Sequence, residues 1–412
     1  MNMGPKPEKK SNPSINFLDA FHQSSHGESV HMKSYLVRSL HLLLLTLAGC
    51  SYSWAQERSL VINADTHAWR LTSLLTGLEN PWSLAFLPDG RMLVTEQAGR
   101  LRLVESDFRL DPKPIEGLPL SIERGQGGLF DVVLHPNYAQ NGWIYWAYNA
   151  PGPGGWGTAL ARGKLKGHRM TEVQVLFSMQ PKTRSSQHFG GRIVFDTAGM
   201  LYLTLGDRGD KDRAQKLDDH AGSVIRLHDD GRVPADNPFA KRAGASPEKW
   251  TLGNRNIQGA ALHPKTGELW THEHGPQGGD ELNVMRAGLN YGWPVVTYGV
   301  NYGLGTRIGE GHSKPGMVQP LHVWVPSIAP SGMAFVSGSQ FPQWQGDLLV
   351  GALRGQMLVR LVLNGEKVIR EERLLQGRAG RIRDVRMGPD GLIYLLSNGA
   401  DGALLRLEPV RP

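Results

Sequence analysis

From Ser83 to Leu407 the chain alternates short apolar runs with tight polar turns, and one pattern recurs six times. An apolar strand meets a turn built on Pro, Asp or Gly, and a second apolar strand follows. The copies are Ser83–Gly90 with Met92–Thr95, Phe130–Pro136 with Trp143–Tyr148, and Arg192–Asp196 with Leu201–Leu205. They continue with Ala260–Pro264 and Leu269–His272, Met333–Val336 and Asp347–Ala352, then Val385–Gly391 and Leu392–Leu396. Pro presets φ at such turns and Gly adopts positive φ without a Cβ clash. The flanking runs are short and rich in strand formers. A third strand follows at Arg100–Val104 and at Met357–Leu361. Six such units predict an all-β fold, a six-bladed β-propeller around a central channel. The uneven spacing assigns insertions to 207–257 and 273–330. Ring closure is expected from Trp69–Leu74 pairing with Leu404–Leu407.

Composition changes the picture in three places. The 412 residues include 51 Gly and 26 Pro, which suits many turns and few long helices. The net charge of +7 comes from scattered basic residues, with no block beyond Lys9-Lys10, which argues against a nucleic-acid binder. Cys50 is the only cysteine, so an intrachain disulfide is excluded, and the body after the leader has no thiol to serve as a nucleophile or metal ligand. Residues 1–55 read as a leader and 56–412 as one propeller domain. Lys33 and Arg38 precede the apolar run Leu40–Leu47, which is short for a membrane span and typical of an export signal. Two cleavage sites compete. Leu47-Ala48-Gly49-Cys50 would leave a lipid anchor at Cys50, and Ser53-Trp54-Ala55 is an ordinary peptidase site. Polar residues precede this signal, so Met32 is a candidate start. A periplasmic or envelope location follows.

The repeat register turns sequence position into geometry, because residues just upstream of each innermost strand meet at one channel mouth. Those positions hold Asn80 and Trp82, Gln126, Gln187-His188, Arg255-Asn256, Trp324 with Ser327 and Ser331, and Arg381 with Arg383. Several Arg around one cavity are costly without an anion, and guanidinium forks match carboxylates. A polycarboxylate guest is therefore expected. A His beside it can take a hydroxyl proton as general base.

These stretches resemble the glucose/sorbosone dehydrogenase family, specifically its soluble aldose sugar dehydrogenases. The resemblance rests on Gly125–Leu129, His188–Arg192, Gly222–Leu227, Asp236–Phe239, Leu252–Gly259, Glu273–Pro276, Gly279–Asn283, Asn290–Pro294 and Arg381–Val385. It implies a six-bladed propeller binding pyrroloquinoline quinone (PQQ), a tricarboxylate, together with calcium. It implies oxidation of an aldose at C1 to the lactone, with hydride passing to the quinone and electrons to an external acceptor. His188 would be the base, with Gln126 contacting substrate or quinone near it. Arg255, Asn256, Arg381 and Arg383 would hold the cofactor. Arg354 stands where relatives usually carry Lys and would be a further anion contact. Tyr302 and Trp324 would wall the quinone slot. Carbonyls of Gly275 and Pro276 would help hold the cofactor's calcium, and Glu281 with Tyr291 a separate calcium.

Two other classes are weighed beside this one: a calcium-dependent propeller hydrolase such as a lactonase, and a binding propeller without catalysis. An Arg-dominated mouth disfavours the first, since such metals centre on carboxylates and Asn. Retention of His188 with the Arg set disfavours the second. His272 and His274 share one strand face and could begin a zinc or copper site, but the sequence offers no third ligand. A monomer is the default expectation.

Overall fold

The computed structural model describes residues 59–63 and 68–410. The export segment, Cys50 and both cleavage sites lie outside the described residues. All described residues belong to one unit, Glu57–Pro412.

The first two strands, β1 (Ser59–Asn63) and β2 (Ala68–Leu78), pair with each other. Blade one is β3 (Pro81–Phe86), β4 (Met92–Glu96) and β5 (Arg100–Val104). Blade two is β6 (Leu129–Leu134), β7 (Trp143–Gly152), β8 (Gly155–Lys166) and β9 (Arg169–Ser178). Blade three is β10 (Gly190–Phe195), β11 (Leu201–Leu205) and β12 (Val224–Leu227). Blade four is β13 (Ile257–Leu262), β14 (Leu269–Glu273), β15 (Asp280–Met285) and β16 (His322–Trp324). Blade five is β17 (Pro330–Phe335), β18 (Leu348–Ala352), β19 (Met357–Asn364) and β20 (Lys367–Leu374). Blade six is β21 (Arg381–Met387), β22 (Ile393–Asn398) and β23 (Gly402–Pro409).

These sheets are the six blades expected from the repeats. The innermost strands touch in a closed ring, in the order β3, β6, β10, β13, β17, β21 and back to β3. Closure is made by β2 adding to β23, with Leu71 opposite Leu407. The N-terminal strands thus complete the last blade, and the ring has no open seam there.

The apolar residues on the blade faces gather into six main clusters, one in each gap between adjacent blades. In the gap between blades five and six, Trp344 is fully buried against Trp69 and Phe341. Removing that ring leaves a large cavity. Trp344→Ala is expected to cost about 3–5 kcal/mol of stability, measured by denaturant unfolding. A loss below about 1 kcal/mol would mean that the seam does not depend on this ring.

One feature repeats at the channel. Each innermost strand slips register near its start, between Pro81 and Ser83, Leu129 and Val132, Gly190 and Ile193, Ile257 and Gly259, Pro330 and Met333, and Ile382 and Asp384. Such bulges release residues from the ladder and re-aim their side chains. The released residues include Trp82, Asp131, Arg192, Gln258, Ser331 and Arg383. Arg192 bonds Asp131 at 3.3 Å and Asp384 at 3.0 Å, and Arg386 bonds Asp131 at 2.6 Å and Asp384 at 2.8 Å. Two cations and two anions therefore neutralise each other among the inner strands, and Ser83 joins them through Asp131.

Candidate active site

His188 lies two residues before β10, in left-handed backbone with φ +49°. That conformation is uncommon for a non-glycine residue and has to be held by its surroundings. Gly206 permits the close packing: a Cβ there would come within 2.2 Å of the His188 carbonyl oxygen. The His188 backbone N–H donates to Gln126 Oε1 at 2.9 Å. The side chain is 11% exposed, and its Nδ1 lies 2.6 Å from Asp207 Oδ1. A carboxylate accepts, so Nδ1 carries the proton and Nε2 is the accepting nitrogen of the neutral ring.

Asp207 is itself 1% exposed and fully engaged. Its Oδ2 accepts from Trp293 Nε1 at 2.8 Å, and Oδ1 also accepts from Gly209 N–H at 2.7 Å. Burial would raise this carboxyl, but the hydrogen bond from His188, the positive charge of Arg255 and the Gly209 N–H outweigh it and hold it below the ordinary range. It is a fixed anion that orients the imidazole.

The Trp293 ring carries Arg255, whose guanidinium carbon is 5.3 Å from the ring centroid. Arg255 donates to the carbonyls of His274 at 3.0 Å and Gly275 at 2.6 Å. Asn256 accepts from Gly190 N–H and from Gln258 Nε2, at 3.3 and 3.1 Å. Gln258 in turn accepts from Arg383 Nη1 at 3.2 Å. Burial, with Arg192 and Arg381 nearby, pulls the Arg383 guanidinium down to about 9. Arg381 reaches the Leu353 carbonyl at 3.4 Å, which places it beside exposed Arg354.

The fit to an anionic cofactor can be judged from these groups. Among the described residues, Arg255, Arg354, Arg381 and Arg383 form no ion pair with a carboxylate, unlike Arg192 and Arg386 deeper in the channel. Buried Nε atoms of Arg255 and Arg383 also lack partners. Uncompensated guanidinium groups at one mouth suit a polycarboxylate.

Behind Arg255 lies a small cavity lined by Glu273, Gly275, Gly279, Glu281, Tyr291 and Thr297, among others. Glu273 and Glu281 are directly paired across β14 and β15. Glu273 accepts from Asn254 Nδ2 at 2.9 Å and from the backbone N–H groups of Arg255 and Asn256, so it fixes the strand entry carrying both residues. Burial pushes the Glu273 carboxyl up to about 7. Burial and then the charge of Glu273 push Glu281 well above the ordinary range. A buried carboxylate, Glu273, facing the half-buried Glu281 is relieved by a cation, and oxygen donors suit a hard one. Tyr291 is buried, with its hydroxyl donating to Val284 O at 2.6 Å, so its ring is anchored in the wall. Gly275 and Pro276 are both buried beside this cavity, with the Gly275 carbonyl facing Arg255.

Not every expected residue joins this group. Trp324 is 2% exposed in outer strand β16, with its indole N–H on Glu371 of β20 at 2.9 Å. Its polar atom is satisfied between blades, and its ring packs in the core cluster of blades four and five. Tyr302 is 67% exposed and stands out into solvent. His272 is fully buried, and His274 Nε2 donates to Pro330 O, 2.7 Å away. No group of three or more His, Cys, Asp or Glu poised for a metal occurs among the described residues. Asp207, Trp293, Gln258 and Glu273 were not singled out from the sequence as site residues. Asp207 and Glu273 follow or end the second strand of a hairpin, which returns to the same mouth from which the first strand starts.

Residues 78–406 match the family model described as Glucose / Sorbosone dehydrogenase. The aldose sugar dehydrogenase YliI of Escherichia coli (strain K12) is 44% identical over 338 residues, covering 81% of this chain and 91% of that protein. The crystal structure of the soluble aldose sugar dehydrogenase from Escherichia coli in the apo-form superposes with a TM-score of 0.81 at 43% identity, covering 83% of this chain and 100% of that one. The PQQ-bound form of the aldose sugar dehydrogenase from Streptomyces coelicolor gives a TM-score of 0.67 at 28% identity, covering 86% and 99%.

Proposed function

Since the chain belongs to the glucose/sorbosone dehydrogenase family, we propose that it is a PQQ- and calcium-dependent aldose dehydrogenase that oxidises the sugar at C1 to the lactone. The observation that carries this reading is the arrangement Trp293–Asp207–His188 with Arg255 on the Trp293 ring, Arg255 lacking an ion pair among the described residues as do Arg354, Arg381 and Arg383. When bound, PQQ supplies the hydride acceptor and calcium a Lewis acid. The protein's own part is positioning and proton transfer. Arg255, Arg354, Arg381 and Arg383 would take the cofactor's anionic oxygens, with Asn256 and Gln258 holding Arg383 in place. His188 Nε2 takes the C1-hydroxyl proton, and Asp207 stabilises the imidazolium that forms. Electrons leave to an external acceptor. The basic and apolar segment from Lys33 to Leu47 supports export, with Cys50 a candidate lipid anchor.

The clamp is tested by PQQ absorbance titration of the purified protein. Arg255→Met is expected to weaken PQQ binding about 10- to 100-fold, the scale of one charge-assisted hydrogen-bonding pair. Unchanged affinity would remove Arg255 from the cofactor site.

Calcium is tested by stability. A carboxyl raised in the folded state means that the native protein binds more protons than the unfolded chain above the ordinary Glu value, about 4.3. Stability of the metal-free protein should therefore fall as pH rises above that value, through the region of about 7 set by Glu273. Calcium should restore Tm most at the alkaline end, and Glu281→Gln should flatten both effects. A Tm indifferent to calcium and to chelator at pH 8 would exclude the Glu281 site.

A further inference from the structure

Next to Asp207 in sequence stands a second residue with an unusual environment. Arg208 is 2% exposed and has no carboxylate partner among the described residues. A buried guanidinium of this kind is expensive unless its position is required. Its backbone is left-handed too, with φ +62°.

The hydrogen bonds of its guanidinium and its ring contact fall on the segment that carries His188. Nη2 donates to Ser185 O at 2.6 Å and Nη1 to Gln187 O. The guanidinium carbon lies 3.4 Å from the centre of the Phe189 ring. Its backbone N–H donates to His188 O at 3.3 Å. One residue therefore grips positions 185, 187, 188 and 189, while its neighbour Asp207 grips the imidazole. The two halves do different work: Asp207 sets the tautomer and ring orientation, and the fork of Arg208 fixes the backbone from which the ring projects. Lys could reach one carbonyl but could not bridge two in a plane while stacking on a ring. Burial pulls the Arg208 guanidinium down to about 9, which is consistent with a cation kept for its geometry.

We propose that Arg208 is a positioning residue for the base, clamping the Ser185–Phe189 segment so that His188 Nε2 is held at the reacting hydroxyl. This rests on the reading of His188 as the base. A base displaced by about 1 Å can lose about 100-fold in rate without loss of binding.

The test uses Arg208→Lys in the full chain, compared with wild type and His188→Ala. In Arg208→Lys, kcat should fall about 30- to 100-fold, while sugar KM and PQQ affinity stay within about 3-fold. A second readout needs no cofactor: the short Nδ1–H···Oδ1 hydrogen bond should give a downfield proton resonance in the apoprotein. That resonance, assigned by its absence in His188→Ala, should broaden or vanish in Arg208→Lys. An unchanged kcat, or a lowered kcat with the resonance intact, overturns the proposal. If Arg208→Lys fails to fold, Phe189→Leu removes the stacking partner, and the same split in kcat, KM and resonance is expected at smaller size. Its absence there also overturns the proposal. Failure of the dehydrogenase reading shows separately, as wild type that reduces no dye with any aldose, and failure of the base assignment as His188→Ala turning over like wild type.

Discussion

Replacing His188 by alanine is expected to lower kcat by about 10³- to 10⁴-fold, at the upper end of what general-base catalysis contributes, while PQQ affinity changes by less than about 3-fold. The separation follows from the site's construction. The four candidate anion contacts, Arg255, Arg354, Arg381 and Arg383, belong to blades four, five and six or their connections. His188 comes from the entry to blade three and is held by Asp207 and Gln126. Its imidazole is therefore not part of the anion clamp. Steady-state dye reduction measures kcat, and absorbance titration measures the cofactor. A His188→Ala protein that fails to bind PQQ would show that the imidazole contributes to binding, and the base assignment would fall.

Asp207→Ala should be nearly as damaging, lowering kcat by about 10²- to 10³-fold. Two donors, His188 Nδ1 and Trp293 Nε1, lose their acceptor in a buried place. The imidazole can then rotate or take the other tautomer, and Trp293 loses the bond that fixes the ring supporting Arg255. A modest loss of PQQ affinity should accompany the kcat effect, which distinguishes this variant from His188→Ala. The folded-state carboxyl of Asp207 is depressed, so its contribution to stability is present above the ordinary Asp value and is lost as pH falls through the lower folded value. Asp207→Ala should accordingly lose less stability than wild type on acidification below about pH 4. Wild-type turnover in Asp207→Ala would dissolve the link between carboxylate and base.

The fold was largely legible because its signals are local. Each hairpin carries its own turn chemistry, as at Pro88-Asp89-Gly90 and Pro389-Asp390-Gly391, and apolar strands on both sides. Even the closure of β2 on β23 follows from two apolar runs left over at the ends. The site was partly legible for the same reason: residues before an innermost strand point to one mouth, and His188 and Arg255 stand there, whereas Arg383 lies inside β21 at its bulge. Asp207 escaped it because it follows the second strand of blade three, where position depends on antiparallel return. Trp293 escaped because it sits in the long insertion, whose path is fixed by distant contacts such as Gln215 with the Trp293 carbonyl. Trp324 precedes blade five in sequence, yet the insertion adds it to blade four as outer strand β16. The six inner-strand bulges left no trace in turn residues or periodicity, although they direct Arg192, Gln258 and Arg383 into the channel.

The most direct test of the account is reconstitution. Protein comprising residues 56–412 is stripped with chelator, PQQ and calcium are added separately and together, and reduction of an artificial dye is followed with a panel of aldoses. The account predicts turnover only when both are present, with the lactone formed from the aldose. No dye reduction and no PQQ binding by absorbance titration would contradict it.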